Sequence, residues 1–150
     1  MKMPPLKNHT VLWADDDLDD LLIMRETLEL LDGEHYVLEA YNGQEVLDYL
    51  SSLNDTSAFP CLIILEINMP VLNGRDTLAL IRLEAKYNGI PVVMFTTSSN
   101  DRDQTFCNQL GATLYTKPST LKAYESVIAA LLAHCNDHKQ VGQVLNPSYL

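Results

Sequence analysis

Five short apolar runs alternate with five segments of helical period along this chain, and that alternation restricts its fold more than any other feature. The run from Cys61 to Ile67 is almost continuously apolar, which is typical of a central strand covered on both faces. The predicted strands are 10–14, 35–40, 61–67, 91–96 and 113–116, and the predicted helices are 18–31, 43–51, 75–86, 101–110 and 121–132. Asp17 is the expected cap of the first helix and Gly33 its expected end. This order predicts an α/β fold with a doubly wound parallel sheet and right-handed crossovers.

Length and composition favour one acidic domain. The chain has 150 residues, and we divide it into a leader at 1–8, a domain at 9–134 and a polar tail at 135–150. Ten Lys and Arg against 20 Asp and Glu give a net charge of -10, which repels nucleic-acid phosphates and anionic membranes. We therefore expect neither as a partner. The first residues lack the apolar segment of an export signal, and no apolar run could span a bilayer, so we expect a cytoplasmic protein.

The three cysteines, Cys61, Cys107 and Cys135, are an odd number without metal-ligand spacing. In a cytoplasmic protein such a set favours reduced thiols over a disulfide framework. We therefore predict three free thiols, with Cys61 packed in its strand.

Polar side chains follow four of the predicted strands. They are Asp15 and Asp16 after the first, Glu66 and Asn68 at the third, Thr96 at the fourth, and Lys117 after the fifth. Because the site of such a sheet lies at the carboxyl ends of its strands, we expect these residues to meet. Three carboxylates in one place repel each other, so the site should either attract a divalent cation such as Mg²⁺ or raise the pKa of one carboxyl group. A lysine and a hydroxyl nearby would complete a pocket for a phosphoryl oxygen.

Each of these signals also has a simpler explanation. The cluster from Asp15 to Asp20 could be an acidic helix start, which the helix dipole favours. Thr96 could be an ordinary β-branched strand residue, and Lys117 could belong to a plain turn with Pro118. Glu66 is harder to explain away, because a carboxylate that ends an apolar strand is costly unless it is paired. One common site accounts for all of them together.

These stretches resemble the CheY-like receiver domain of response regulators over roughly residues 9 to 134. The matching segments are VLWADDDLDD, LIILEINMPVLNG, PVVMFTTSS and GATLYTKP, in that order. The likeness is greatest to small stand-alone receivers, some of which partner phytochrome-type kinases. It implies a flavodoxin-like (β/α)5 fold with strand order 2-1-3-4-5, and a function in two-component phosphorelay signalling without enzymatic turnover.

The resemblance also implies roles for single residues. Asp15 and Asp16 match the acidic pair that binds Mg²⁺, and Asn68 matches a residue whose backbone carbonyl is a further metal ligand. Thr96 matches the hydroxyl residue that contacts the phosphoryl group, and Lys117 matches the lysine that pairs with it. The bond between Lys117 and Pro118 is expected to be cis.

Glu66 occupies the position at which the family carries its phosphoacceptor aspartate. Its extra methylene moves the carboxylate by about 1 Å, and a misplacement of that size can cost a hundredfold in rate. Phosphorylation and metal binding at Glu66 should therefore both be weakened. The longer acid could instead touch Lys117 or Thr96 and imitate the activated state. We therefore predict an atypical or constitutively signalling pseudo-receiver.

A second departure from the family pattern is Leu114, where relatives usually carry an aromatic ring that moves inward on activation. Tyr115 is adjacent, but strand alternation points it to the other face. Signalling should therefore proceed by protein contact, and the resemblance places the contact face on the fourth helix, fifth strand and fifth helix. That face carries Phe106, Leu110, Tyr115 and Tyr124, although core packing would also explain them, and does so better for Leu110. The expected partners are a sensor histidine kinase or phosphotransfer protein, a downstream protein and a second copy of the chain.

An enzyme is the alternative. Phosphatases of the haloacid-dehalogenase type also use two aspartates after the first strand, here Asp15 and Asp17, with a later threonine and lysine. That mechanism needs a further acidic pair after another strand, and none follows Lys117 in the predicted domain. A nucleotide-binding fold is less favoured, because the first turn has no glycine-rich cradle for a pyrophosphate.

Overall fold

The computed structural model describes residues 9–31, 34–97 and 99–144, with side chains of the last helix described as far as Cys135. The strands are β1 Thr10–Ala14, β2 Tyr36–Ala40, β3 Leu62–Leu65, β4 Val92–Thr96 and β5 Thr113–Thr116. The α-helices are α1 Leu18–Leu31, α2 Gly43–Ser51, α3 Gly74–Leu83, α4 Asp101–Gln109 and α5 Leu121–Val144. Two short 3-10 turns, Thr56–Ala58 and Ala85–Tyr87, precede β3 and β4.

The five strands form one parallel sheet in the order β2-β1-β3-β4-β5. This is the predicted doubly wound topology, and it brings the ends of β1, β3, β4 and β5 to the same edge. The register pairs Ala14 with Leu65 and Thr96 with Thr116, so the residues that follow these positions leave the sheet side by side. Topology therefore assembles the predicted site.

Alternation along the strands divides the core into two layers. On β1, Leu12 and Ala14 pack with α2, α3 and α4, while Val11 and Trp13 pack with α1 and α5. All four residues of β3 are fully buried because helices cover both faces of this central strand. The apolar run predicted this burial.

Short polar side chains fix the helix starts at the carboxyl edge. Asn42, Asn73 and Asn100 each accept a hydrogen bond from a backbone N–H in the first turn of α2, α3 and α4. The predicted cap Asp17 does the same for α1, accepting from the N–H groups of residues 19 and 20 at 3.0 and 3.2 Å. The predicted end of that helix, Gly33, lies outside the described residues.

Two predicted helix ends differ from the structure. Helix α3 stops at Leu83, because Glu84 adopts an extended conformation before the 3-10 turn. Helix α5 continues to Val144, into the segment predicted as a polar tail. The sequence after His134 is mostly polar, so the helical spacing of apolar residues could not reveal this extension. No helix within the described ranges is long and apolar enough to cross a membrane.

The prediction of three free thiols is wrong. Cys61, just before β3, forms a disulfide with Cys135 of α5, and their Cα atoms are 5.0 Å apart. Because a helix rises about 1.5 Å per residue, the stretch of α5 from Leu121 to Cys135 covers roughly 20 Å and returns to the amino edge of the sheet, where Cys61 lies. Cys107 alone is a free thiol and is buried. The cysteine pattern therefore no longer supports a reducing compartment.

Candidate functional site

The centre of the site is the ammonium group of Lys117, which lies among three carboxylates. Its Nζ is 2.5 Å from Oδ2 of Asp15, 2.7 Å from Oδ2 of Asp20 and 2.9 Å from Oε1 of Glu66. The Lys117 and Asp15 side chains are 2% and 3% exposed, so these two groups are almost completely removed from solvent. The ammonium lies over the ring of Phe95, 6.0 Å from its centroid, and Phe95 packs against Trp13 and Tyr124 to form an apolar wall.

The loop after β5 places Lys117. Its backbone N–H donates to the carbonyl of Thr96 at 2.6 Å, which continues the pairing of β4 and β5 beyond the strand ends. The expected cis bond to Pro118 is wrong, because no peptide bond within the described ranges is cis. Trans is the intrinsically preferred form of such a bond, and the Lys117 side chain reaches all three carboxylates with it.

Glu66 follows β3 directly, and its own backbone N–H still donates to Ala14 across the sheet at 3.0 Å. Its carboxylate is engaged on both sides: Oε1 faces Lys117, while Oε2 accepts from the N–H of Ile67 at 2.6 Å and of Asn68 at 3.4 Å. The extra methylene lets the carboxylate fold back onto the loop that follows it. Gly74 closes this loop, since a Cβ there would lie 2.1 Å from the Glu66 carbonyl oxygen.

Of the four predicted metal ligands, the structure brings only Asp15 and Glu66 into the cluster. Asn68 is exposed and contributes its N–H, and Asp16 is exposed with no hydrogen bond or ion pair to any described residue. Asp20 takes the third place, which the sequence reading missed. One signal could have found it: Asp20 precedes the buried Met24 by four residues, so both lie on the core-facing side of α1.

Burial and pairing oppose each other in the electrostatics of this cluster. Burial raises the pKa of Asp15 to about 6, and the hydrogen bonds from Lys117 and from the N–H of Asp17 only partly offset it. For Lys117, burial lowers the pKa, but hydrogen bonds to Asp15 and Asp20 and the charge of Asp15 raise it above its ordinary value. The ammonium therefore stays protonated. A raised carboxyl pKa is one of the two predicted outcomes, but its main cause is burial and not repulsion between the carboxylates.

The donor set does not fit a divalent cation as it stands. Within the described residues, no three His, Cys, Asp or Glu side chains are arranged to hold a metal ion. Mg²⁺ requires near-octahedral oxygen ligands at about 2.0–2.1 Å. Here the oxygens of Asp15 and Glu66 already bind Lys117 or backbone N–H groups, and Lys117 supplies the positive charge.

The residues near the predicted contact face separate into two groups. Leu114 packs against the α2, α3 and α4 layer, whereas Tyr115 packs against the α1 and α5 layer and its hydroxyl is 2.8 Å from Nε2 of His134. Alternation along β5 therefore separates them as predicted. Tyr124 is buried in the α1 and α5 layer, and Leu110 is half-buried against the α2, α3 and α4 layer. Phe106 and Tyr115 therefore remain as partly exposed aromatic groups of that face.

Comparison with known proteins agrees with this fold. The chain belongs to the response regulator receiver domain family, whose model matches residues 11–129. It is 30% identical to the response regulator Rcp1 of Synechocystis over 115 residues, covering 75% of this chain and 78% of Rcp1. It is 32% identical to a chemotaxis protein CheY homolog of Campylobacter jejuni over 111 residues, covering 73% and 82%.

Solved structures give the same result. The Mn²⁺-bound form of Rcp1 aligns with a TM-score of 0.71 at 28% identity, covering 80% of this chain and 88% of Rcp1. The response regulator RPA3017, described in red light signalling of R. palustris, aligns with a TM-score of 0.72 at 27% identity, covering 86% and 91%. The predicted likeness to CheY-like, stand-alone receivers is confirmed.

The chain is therefore a receiver domain of the type used in two-component signalling. Domains of this family interact with histidine kinases or phosphotransfer proteins and with downstream targets, and they generally bind Mg²⁺ at the acceptor site. Its relatives are signalling proteins and not classical enzymes. The comparisons give no support to the phosphatase alternative.

Proposed function

We propose that this chain is an atypical receiver that signals by protein contact from a fixed state, with Glu66 at the acceptor position held by Lys117 and not phosphorylated. The observation that carries this proposal is the contact of 2.9 Å between Lys117 Nζ and Glu66 Oε1. In this arrangement the Lys117 ammonium already binds the Glu66 carboxylate. In a phosphorylated receiver the same lysine would bind an oxygen of the phosphoryl group.

The contacts of Glu66 support the first half of the proposal. A nucleophilic oxygen must present a lone pair in line with the phosphorus atom, and a misplacement of about 1 Å can cost a hundredfold in rate. Both oxygens of Glu66 accept hydrogen bonds, and the residue is only 6% exposed. Transfer to Glu66 would require breaking these bonds before attack.

The absence of a movable ring supports the second half. Leu114 stands where the family usually carries its switching aromatic residue, and Tyr115 is packed on the other face beside His134. A receiver with neither a free acceptor nor that ring has no evident means of changing its contact face on phosphorylation. We therefore expect one conformation of this face, presented continuously to a downstream protein, or to a second copy of the chain.

The partners of this proposal are those of the family. A histidine kinase or phosphotransfer protein would recognise the carboxyl edge, and the downstream protein would bind the face with Phe106 and Tyr115. A cytoplasmic location and the domain bounds 9–134 remain predictions.

A phosphotransfer assay tests the proposal. The full chain is incubated with Mg²⁺ and a ³²P-labelled phosphodonor, either acetyl phosphate or a histidine-phosphorylated kinase domain. Wild type, Glu66→Asp, Glu66→Gln and Glu66→Ala are compared. Glu66→Gln is the matched control, because it keeps the length of the side chain and removes the nucleophile. We expect wild type to match Glu66→Gln, with no acid-stable label above background.

Glu66→Asp shortens the side chain by one methylene and withdraws the carboxylate from the Ile67 amide. Label on Glu66→Asp together with none on wild type would show that the rest of the site is competent and that the length of Glu66 blocks transfer. Stable label on wild type that is lost in both Glu66→Gln and Glu66→Ala would refute the proposal.

A further inference from the structure

The ammonium of Lys117 is fully used within the cluster. A protonated lysine has three N–H donors and no acceptor. The structure supplies one carboxylate oxygen for each donor, from Asp15, Asp20 and Glu66, at 2.5–2.9 Å. Charge-assisted bonds of this kind are the strongest class of hydrogen bond in proteins. No donor is left over for a phosphoryl oxygen unless a carboxylate is displaced.

The carboxylates are also used on their other side. Oδ1 of Asp15 accepts from the N–H of Asp17 at 2.9 Å, and Oε2 of Glu66 accepts from the N–H of Ile67 at 2.6 Å. A metal ion that took Asp15 and Glu66 as ligands would have to compete with Lys117 for the same oxygens. It would also lie close to a buried ammonium, and two cations this close repel strongly in a medium of low dielectric constant.

Asp20 makes this arrangement possible. Asp15 and Glu66 come from neighbouring strands, whereas Asp20 comes from the first turn of α1 and closes the third side of the ammonium. Its side chain is 21% exposed, so the helix holds it at the rim of the cluster. The neighbouring Asp19 is exposed and makes no contact with Lys117.

We propose that the Lys117 ammonium takes the place of a divalent cation in this site and that Asp20 is the positioning residue that holds it there. The inference deepens the proposed function, on which it rests only for the assignment of Glu66 to the acceptor position. The Lys117 ammonium is then a permanent cation of the site, so that the charge of the site does not depend on the Mg²⁺ concentration. Mg²⁺ can enter only by displacing Lys117.

The first experiment measures metal binding by the full chain. Mg²⁺ is titrated by calorimetry, and Mn²⁺ binding is followed by electron paramagnetic resonance, for wild type and Lys117→Met. Removal of the ammonium leaves three uncompensated carboxylates, so we expect Lys117→Met to bind either ion at least tenfold more tightly than wild type. We also expect millimolar Mg²⁺ to raise the melting temperature of Lys117→Met and to leave that of wild type unchanged.

The second experiment does not depend on whether a variant without Lys117 folds. Proton exchange of the Lys117 ζ-ammonium is measured by ¹⁵N nuclear magnetic resonance, with the exposed Lys122 as the internal reference. We expect the Lys117 signal to exchange at least tenfold more slowly than that of Lys122. Asp20→Asn should bring the two rates closer and Asp20→Glu should partly restore the difference, while the matched control Asp19→Asn should leave it unchanged.

Two results would overturn the inference: wild type binding Mg²⁺ as tightly as Lys117→Met, or a Lys117 ammonium that exchanges as fast as that of Lys122. Tight Mg²⁺ binding by wild type would not by itself contradict the proposed function, because a metal-binding chain could still fail to accept a phosphoryl group. Fast exchange at Lys117 would also count against the Lys117–Glu66 contact on which the proposed function depends, and the phosphotransfer assay then decides separately whether Glu66 accepts a phosphoryl group. Label on wild-type Glu66 in the phosphotransfer assay would instead contradict the proposed function while leaving the metal affinities as measured.

Discussion

The disulfide between Cys61 and Cys135 should carry a large part of the stability of this domain. The two cysteines are 74 residues apart in sequence. In the chain-entropy model, closing a loop of that length removes about 4.4 kcal/mol of conformational freedom from the unfolded state at 25 °C. An unfolding entropy of about 2.1 cal/mol/K per residue gives roughly 0.3 kcal/mol/K for a chain of this length. Loss of the bond should therefore lower the melting temperature by roughly 10–15 °C.

The assay compares thermal unfolding of wild type and Cys135→Ala, each with and without dithiothreitol, after equilibration that exposes the buried bond to the reductant. We expect reductant to lower the melting temperature of wild type and not that of Cys135→Ala. Cys107→Ala is the matched control, because it removes an equally buried sulfur that forms no bond. Its melting temperature should fall from lost packing alone, and it should keep the full response to reductant.

A thiol count decides whether the bond exists in the purified protein. Under denaturing conditions without reductant, wild type should show one reactive thiol, that of Cys107. Three reactive thiols, together with a melting temperature that does not respond to dithiothreitol, would contradict the reasoning and restore the prediction of free cysteines.

Three further predictions concern the site and its loops. Burial raises the pKa of Asp15 from 3.8 to about 6, so between these pH values the folded state keeps a proton on Asp15 that the unfolded state has lost. The stability that this proton contributes is therefore fully present below pH 4 and is lost as pH rises through 6. Urea unfolding should show wild type losing up to about 3 kcal/mol relative to Asp15→Asn between pH 4 and pH 7; a difference that stays flat or grows in favour of wild type would argue against this. Gly74→Ala should lower the unfolding free energy by about 1–3 kcal/mol, because its Cβ would collide with the Glu66 carbonyl. Gly111 has open space around it, so Gly111→Ala should lower the unfolding free energy by about 1 kcal/mol, through its positive φ alone. Val71 has a φ of 67° and is 80% exposed, so chemical denaturation should find Val71→Gly more stable by up to about 1 kcal/mol, and a less stable variant would count against backbone strain there.

The sheet could be predicted from the sequence because each strand carries its own local signal. The apolar run before Glu66 is unbroken, and each helix start has a short polar cap that follows the end of a strand. Parallel strands then bring their carboxyl ends together by topology alone. That is why Asp15, Glu66 and Lys117 could be placed in one site from positions that are far apart in the chain.

Among the neighbouring acids, Asp20 was missed as a member of the cluster, although its helical spacing to Met24 was available in the sequence. Asp16 and Asp20 both lie in one acidic stretch, but Asp20 is on α1, whose orientation turns it towards Lys117, whereas Asp16 precedes the helix and is exposed. The family pattern favoured Asp16, and it also implied a cis bond before Pro118 that the structure does not contain. The cysteine pairing was missed for a different reason: it depends on how far α5 runs back along the sheet, which cysteine spacing does not record.

The most direct test of the central claim is a high-resolution structure of the full chain grown with Mg²⁺ and beryllofluoride. We predict that Lys117 Nζ remains within hydrogen-bond distance of Asp15, Asp20 and Glu66, and that no beryllium atom is bonded to Glu66. A beryllofluoride group on a Glu66 oxygen, with Mg²⁺ on Asp15 and Asp16 and Lys117 turned towards a fluorine atom, would contradict it.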